Sequence, residues 1–161
     1  GWQRVPSAGP GDGGCPFAPV RKGQERWRAE LLESVEDIPA DSSLGGLPWN
    51  WETYGEYLDA IDAMPKGVNV GGMVGHCAVR HYAMGERSLD KAPATDADIA
   101  AMCELVDETM SAGAPGFSTS RPLLSTVPDG RQAPGKWADE RRARSIPDGH
   151  RPTGRGGVRG A

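Results

Sequence analysis

The chain has 161 residues, one domain's worth and enough for a real core if most of it folds. It is 37% apolar, with 23 Gly and 14 Pro gathered towards its two ends, and it carries a formal charge of -4. That balance argues against nucleic acid as the main partner, and no apolar run is long enough to span a membrane. No basic start followed by an apolar stretch marks a secretory signal, so a cytoplasmic location is expected. Cys15, Cys77 and Cys103 are far apart and form no CxxC pair, which suits reduced thiols better than a disulfide framework.

Residues 1–14 are rich in Gly and Pro and nearly aperiodic, so they read as an irregular segment. Pro16 and Pro19 exclude a helix interior or a central strand in the loop that follows. From Gln24 the pattern turns helical, with Trp27, Leu31 and Val35 on one face and Leu32 beside them, and this helix should end before Pro39. Asp41 to Asn50 reads as a Gly/Ser/Pro loop. Glu52 to Met64 is an amphipathic helix, since Tyr54, Tyr57, Leu58 and Ile61 recur at helical spacing and Pro65 stops it.

The run Val68 to Val74 shows little alternation, as expected of a strand covered on both faces. A loop over residues 75–94 leads to a second amphipathic helix. Thr95 is its N-cap with a carboxylate at Asp98, its stripe is Ile99, Met102, Cys103, Val106 and Met110, and Gly113 is its C-cap. Gly116 to Thr119 should be the next strand. Strand, helix and strand at this spacing make a βαβ unit, hence an α/β fold with a parallel sheet. After Arg131 the composition shifts. A helical start over Lys136 to Arg144 has almost no apolar face, and residues 146–161 read as a disordered Gly/Arg-rich tail. Gly71-Gly72-Met73-Val74-Gly75 lacks the spacing of a dinucleotide site.

Three segments carry a family likeness: Trp49-Asn50-Trp51-Glu52-Thr53-Tyr54, then Val74-Gly75-His76-Cys77-Ala78-Val79-Arg80, then Gly113-Ala114-Pro115-Gly116-Phe117-Ser118-Thr119-Ser120-Arg121. From about Phe17 to about Glu140 the chain resembles the N-acyl-D-amino-acid deacylases (D-aminoacylases) of the amidohydrolase superfamily. The resemblance implies a metal-dependent (β/α)8 TIM barrel, here a partial one over residues 15–145. It implies zinc as cofactor, a small-molecule N-acyl-D-amino acid as substrate and hydrolysis of its linear amide bond. In such barrels the chemistry lies at the C-terminal ends of the strands.

By that resemblance His76, Arg80, Ser118 and Thr119 fall on the substrate side, and Cys15 is the candidate metal ligand. The family's His-x-His, its later histidines and its late acid/base aspartate have no counterpart in this sequence. Cys15 lies two residues beyond the position that the family's cysteine takes when the chain is aligned on Phe17-Ala18-Pro19. Simpler readings stand beside these. Cys15 also reads as a loop cysteine, His76 as a structural histidine satisfied by backbone groups, and Arg80 as one half of a salt bridge to a neighbouring helix. No histidine–aspartate pair lies near Ser118 in sequence, so a serine nucleophile is not expected.

The resulting expectation is a fragment of a deacylase, inactive when isolated, with both ends translated out of frame around a genuine centre. Two alternatives are a non-catalytic partial barrel that associates with itself or another chain through open sheet edges, and an amidohydrolase acting on cyclic amides.

Overall fold

The computed structural model describes residues 7–9, 14–36, 38–119, 126–136, 138–139 and 146. In chain order the elements are β1 (Ser7–Ala8), α1 (Glu25–Glu36), α2 (Ala40–Gly46), α3 (Tyr54–Asp62), β2 (Asn69–Val70), β3 (Val74–Gly75), α4 (His76–Met84), a 3-10 turn (Gly85–Leu89), α5 (Asp96–Ala112) and β4 (Phe117–Ser118). β1 pairs with β2 and β3 with β4, both parallel, in register Ser7 to Asn69 and Val74 to Phe117. The segment β3 to β4, with α4 and α5 between its strands, is the expected parallel crossover.

The helices that the sequence marks are those with a cap and an apolar stripe. Thr53 and Glu56 form a reciprocal capping box on α3, and Thr95 and Asp98 form the same box on α5. Each satisfies amides that the first turn leaves without intrahelical partners. α5 ends at Gly113, whose φ of 115° lies in the left-handed region where a Cβ is unwelcome. α1 buries Arg28, Leu31 and Leu32 on one face, and α3 buries Tyr54, Tyr57 and Ala60. On α5 Thr109 is buried where the stripe places Met110, and its hydroxyl donates to the Leu105 carbonyl at 2.6 Å.

Four expectations need correction. The run Val68 to Val74 is not one covered strand but two short ones, and Asn69–Val70 is half-buried. The break has a cause. The Tyr54 hydroxyl donates to the Gly72 carbonyl and accepts from the Gly72 amide, occupying both groups that a ladder would use. Residues 75–94 are not a loop, because α4 and the 3-10 turn lie there. His76 to His81 are all buried, polar His76 and Arg80 included, so no solvent-facing stripe marks α4 as a surface helix. Asp41 to Asn50 contains most of α2, a short helix of weak formers that begins after Pro39 and lies against α1. Ser7–Ala8 form a strand inside the segment read as irregular. The helical start at 136–144 and the tail fall almost wholly outside the described residues.

Three apolar clusters fill the interior. One joins Cys15 and Cys77 to Leu31, Leu32, Leu89 and Val127. A second gathers Ala18, Val20, Trp51, Tyr54 and Tyr57 under α3. A third packs Val74 and Val79 against Met102, Val106 and Ile146.

Candidate active site

The site is built from the C-terminal ends of β3 and β4. Gly75 pairs with Ser118, so the next residues, His76 and Thr119, leave the sheet side by side. The His76 Nδ1 and the Thr119 hydroxyl are hydrogen-bonded at 3.2 Å. His76 is buried while Thr119 is exposed, so Thr119 is the member of the pair that meets solvent. Ser118 is buried behind them. Gly135 covers the imidazole, and a Cβ there would stand 3.4 Å from the His76 Nδ1.

Arg80 lies one helical turn beyond His76 on α4, on the same face. Its Nη2 donates to the Ala92 carbonyl at 3.1 Å, and the residue is 2% exposed. The simpler reading of Arg80 as half of a salt bridge finds no support, since among the described residues it forms no ion pair with Asp or Glu. The nearby Asp98 is already held in a fork by Arg87, at 3.2 and 3.0 Å. That fork draws the Asp98 carboxyl down to about 2.

Cys15 reaches the same end of the sheet from the N-terminal side. The Cys77 amide donates to the Gly14 carbonyl at 3.1 Å, which brings the loop 14–16 onto the start of α4. Gly75 permits this approach, because a Cβ there would fall 2.2 Å from the Gly14 oxygen. The two thiols are neighbours in one buried cluster, with the Arg28 guanidinium beside them. A hydrogen bond from Cys77, and then the charge of Arg28, hold the Cys15 thiol below its ordinary range against the effect of burial. The same hydrogen bond and burial push Cys77 well up. Arg28 itself, buried with its Nη2 donating to the Pro19 carbonyl at 3.2 Å, is lowered by burial.

These groups do not make a metal site by themselves. A structural zinc takes four ligands and a catalytic one at least three from protein. Among the described residues no group of three His, Cys, Asp or Glu side chains converges to hold a metal ion. Cys15 has one sulfur neighbour and a guanidinium that repels a cation.

Cys77, Arg28 and Gly135 are the site residues that sequence reasoning missed. Arg28 had a signal, since it shares the apolar face of Leu31, Leu32 and Val35. Gly135 had none. A cavity of about 310 Å³ opens beside His76 and Arg80. A second, of about 200 Å³, lies at the other end of the strands, among Asn69, Val70, Gly113 and Pro115, away from His76.

No family model matches the chain. Over 91 residues it is 41% identical to a D-aminoacylase of Alcaligenes xylosoxydans xylosoxydans, a match that covers 56% of this chain and 18% of that protein. Over 99 residues it is 37% identical to an N-acyl-D-aspartate deacylase of the same organism, covering 59% and 19%. The chain is homologous to a segment of the D-aminoacylases. An uncharacterized protein of Mycobacterium tuberculosis shares 38% identity over 110 residues, which are 66% of this chain and 18% of that one. The chain therefore spans about a fifth of the length of these relatives.

Solved structures of D-aminoacylase superpose with a TM-score of 0.60 at 23% identity, over 89% of this chain and 26% of theirs. One of them is described as defining a novel subset of amidohydrolases and another as having a binuclear metal centre. The fold of the described residues is thus that of part of a D-aminoacylase.

Proposed function

We propose that this chain is part of a metal-dependent amidohydrolase that cleaves the amide bond of N-acyl-D-amino acids. The observation that carries the reading is the pairing of His76 with Thr119 across the ends of two adjacent parallel strands, in a chain whose named relatives are D-amino-acid deacylases. Parallel strands joined by helical crossovers are the repeating unit of a (β/α)8 barrel, and catalytic groups there stand at the strand ends. We take the two parallel pairs as part of such a barrel.

In this reading His76, Arg80, Ser118 and Thr119 are on the substrate side. Thr119 fixes the imidazole of His76 and meets solvent. Ser118 is the buried residue of β4 that pairs in register with Gly75. Among the described residues Cys15 is the metal donor proposed, made part of a centre only with ligands from the rest of the protein, and zinc is the metal proposed for the complete protein. The remaining donors come from parts of the protein that the relatives have in addition. A reducing, cytoplasmic setting goes with this reading, and it suits three cysteines that are free thiols among the described residues.

Two measurements test the proposal. The complete protein should release free amino acid from N-acetyl-D-amino acids, with the L-enantiomers inert and chelation abolishing the reaction. The 161-residue chain alone should release none. Hydrolysis of cyclic amides in place of the linear substrates would sink the substrate class, and turnover by the isolated chain would sink the claim that its site is incomplete.

A further inference from the structure

The buried corner where the loop 14–16 meets the start of α4 holds chemistry that the proposed hydrolysis does not use. Cys15 and Cys77 are 8% and 5% exposed, lie in one apolar cluster, and share a hydrogen bond between their side chains. The backbone pins them together, since the Cys77 amide donates to the Gly14 carbonyl at 3.1 Å. By bond lengths, that contact keeps the two Cα atoms within about 7 Å, the reach of a disulfide. The absence of a Cβ at Gly75 lets the loop come so close. Cys103, the third cysteine, lies on α5 and outside this cluster. Arg28 completes the corner. Its guanidinium is 1% exposed, its Nε and Nη1 have no hydrogen-bond partner, and the negative charges that act on it are those of the two cysteines. A cation beside a thiol favours the thiolate, which is the nucleophilic form. A second thiol within reach captures the first oxidation product before it oxidises further.

We propose that Cys15 and Cys77 are an oxidation site that reduces a hydroperoxide and closes into a disulfide. The Cys15 sulfur, on the loop, attacks the terminal oxygen of the hydroperoxide. An S–O bond forms, the O–O bond breaks, and the leaving alkoxide departs as the alcohol with the proton that the thiol gave up. Cys77 then attacks the same sulfur. An S–S bond forms, the S–O bond breaks, and hydroxide leaves with the Cys77 proton as water. The thiol pair loses two electrons and the peroxide gains them. A transient disulfide of this kind suits a reducing compartment. The step takes from Cys15 the sulfur it would lend a metal, but it depends neither on that centre nor on deacylation.

The test is treatment of the folded 161-residue chain with stoichiometric hydrogen peroxide, alkylation in denaturant, and tryptic mapping without reductant. Cleavage after Arg4, Arg21, Lys66 and Arg80 puts Cys15 and Cys77 on separate peptides and Cys103 on a third. The peptides of Cys15 and Cys77 should appear joined within one chain, with Cys103 alkylated, and dithiothreitol should part them. In urea the same treatment should scatter the pairing over all three cysteines. Cys77→Ser should stop the cross-link and leave Cys15 as a sulfenic acid that dimedone labels, whereas Cys103→Ser should leave the cross-link unchanged. No joined peptide, a link between chains seen as a dimer on a non-reducing gel, or a pairing as scattered in the folded chain as in urea would overturn the proposal. So would dimedone on Cys103 in place of Cys15. Because no amide hydrolysis is read, these outcomes stand apart from any failure of the deacylase assay.

Discussion

His81 should make the chain acid-sensitive well above the range where carboxylates titrate. Its ring is buried, stacks on Trp27 at 3.9 Å, and exchanges a hydrogen bond with the Ser88 hydroxyl at 2.8 Å. Burial, and then the positive charge of Arg28, lower its pKa from 6.5 to about 4. The stacked indole would favour an imidazolium by about 0.5–2 kcal/mol, but desolvation and the guanidinium outweigh it. Above pH 6.5 the histidine is neutral folded and unfolded alike, and it contributes no pH dependence. Below that value the unfolded chain takes up the proton first, so stability falls as pH falls, until the folded form also protonates near pH 4. At roughly 1.4 kcal/mol per pH unit, the loss by pH 5 is about 2 kcal/mol and approaches a ceiling of roughly 3. Urea unfolding at pH 7.5, 6.5 and 5 would measure it, with His81→Gln as the control whose stability should stay nearly flat over that range. An unchanged midpoint from pH 7.5 to 5, or an equally steep loss in the His81→Gln chain, would refute the reasoning.

Other consequences can be checked with the same purified chain. Gly75→Ala puts a methyl 2.2 Å from the Gly14 oxygen and 2.3 Å from the Pro16 Cδ. It should cost about 1–3 kcal/mol and speed alkylation of Cys15 and Cys77 as the loop lifts. Thr95→Ala removes one half of the α5 capping box and should lower unfolding free energy by about 1 kcal/mol, read by denaturant titration, with Thr95→Ser restoring most of it. Thr119→Val removes the hydroxyl that meets His76. It should leave stability within about 1 kcal/mol of the parent and move the His76 imidazole resonances in a proton–nitrogen spectrum. Unmoved resonances would deny the contact.

The parallel crossover was legible because its ends are punctuated: Thr95 and Asp98 open α5, Gly113 closes it, and Pro115 sits just ahead of β4. The likeness to the D-aminoacylases was legible in the residues around His76 and Phe117. What was hidden obeys one rule. α4 is buried over all but Tyr82 and Ala83, and α2 is short and built largely of Ser and Gly, so neither shows a solvent-facing polar stripe in the sequence. The split of the central strand was hidden differently, because it depends on a tyrosine 18 residues away in the chain. The pairing of His76 with Thr119 follows from strand register, which spacing alone does not fix. Cys15 lay in view from the start, but its neighbours Cys77 and Arg28 come from two separate helices.

The two-way bond between Tyr54 and Gly72 does more than interrupt a strand. Tyr54 is the first residue of α3, and the tip of its ring grips the backbone two residues ahead of β3. A main-chain pair would tolerate almost any side chain at either place, whereas this bond needs a phenol at one specific point. The helix therefore acts as a peg that sets how far along its track the chain has advanced when it reaches His76. Shortening that peg by one oxygen, as in Tyr54→Phe, would free the backbone to slide and to seek a neighbouring strand. The cost would be felt at the far end of the segment, in where the imidazole comes to rest.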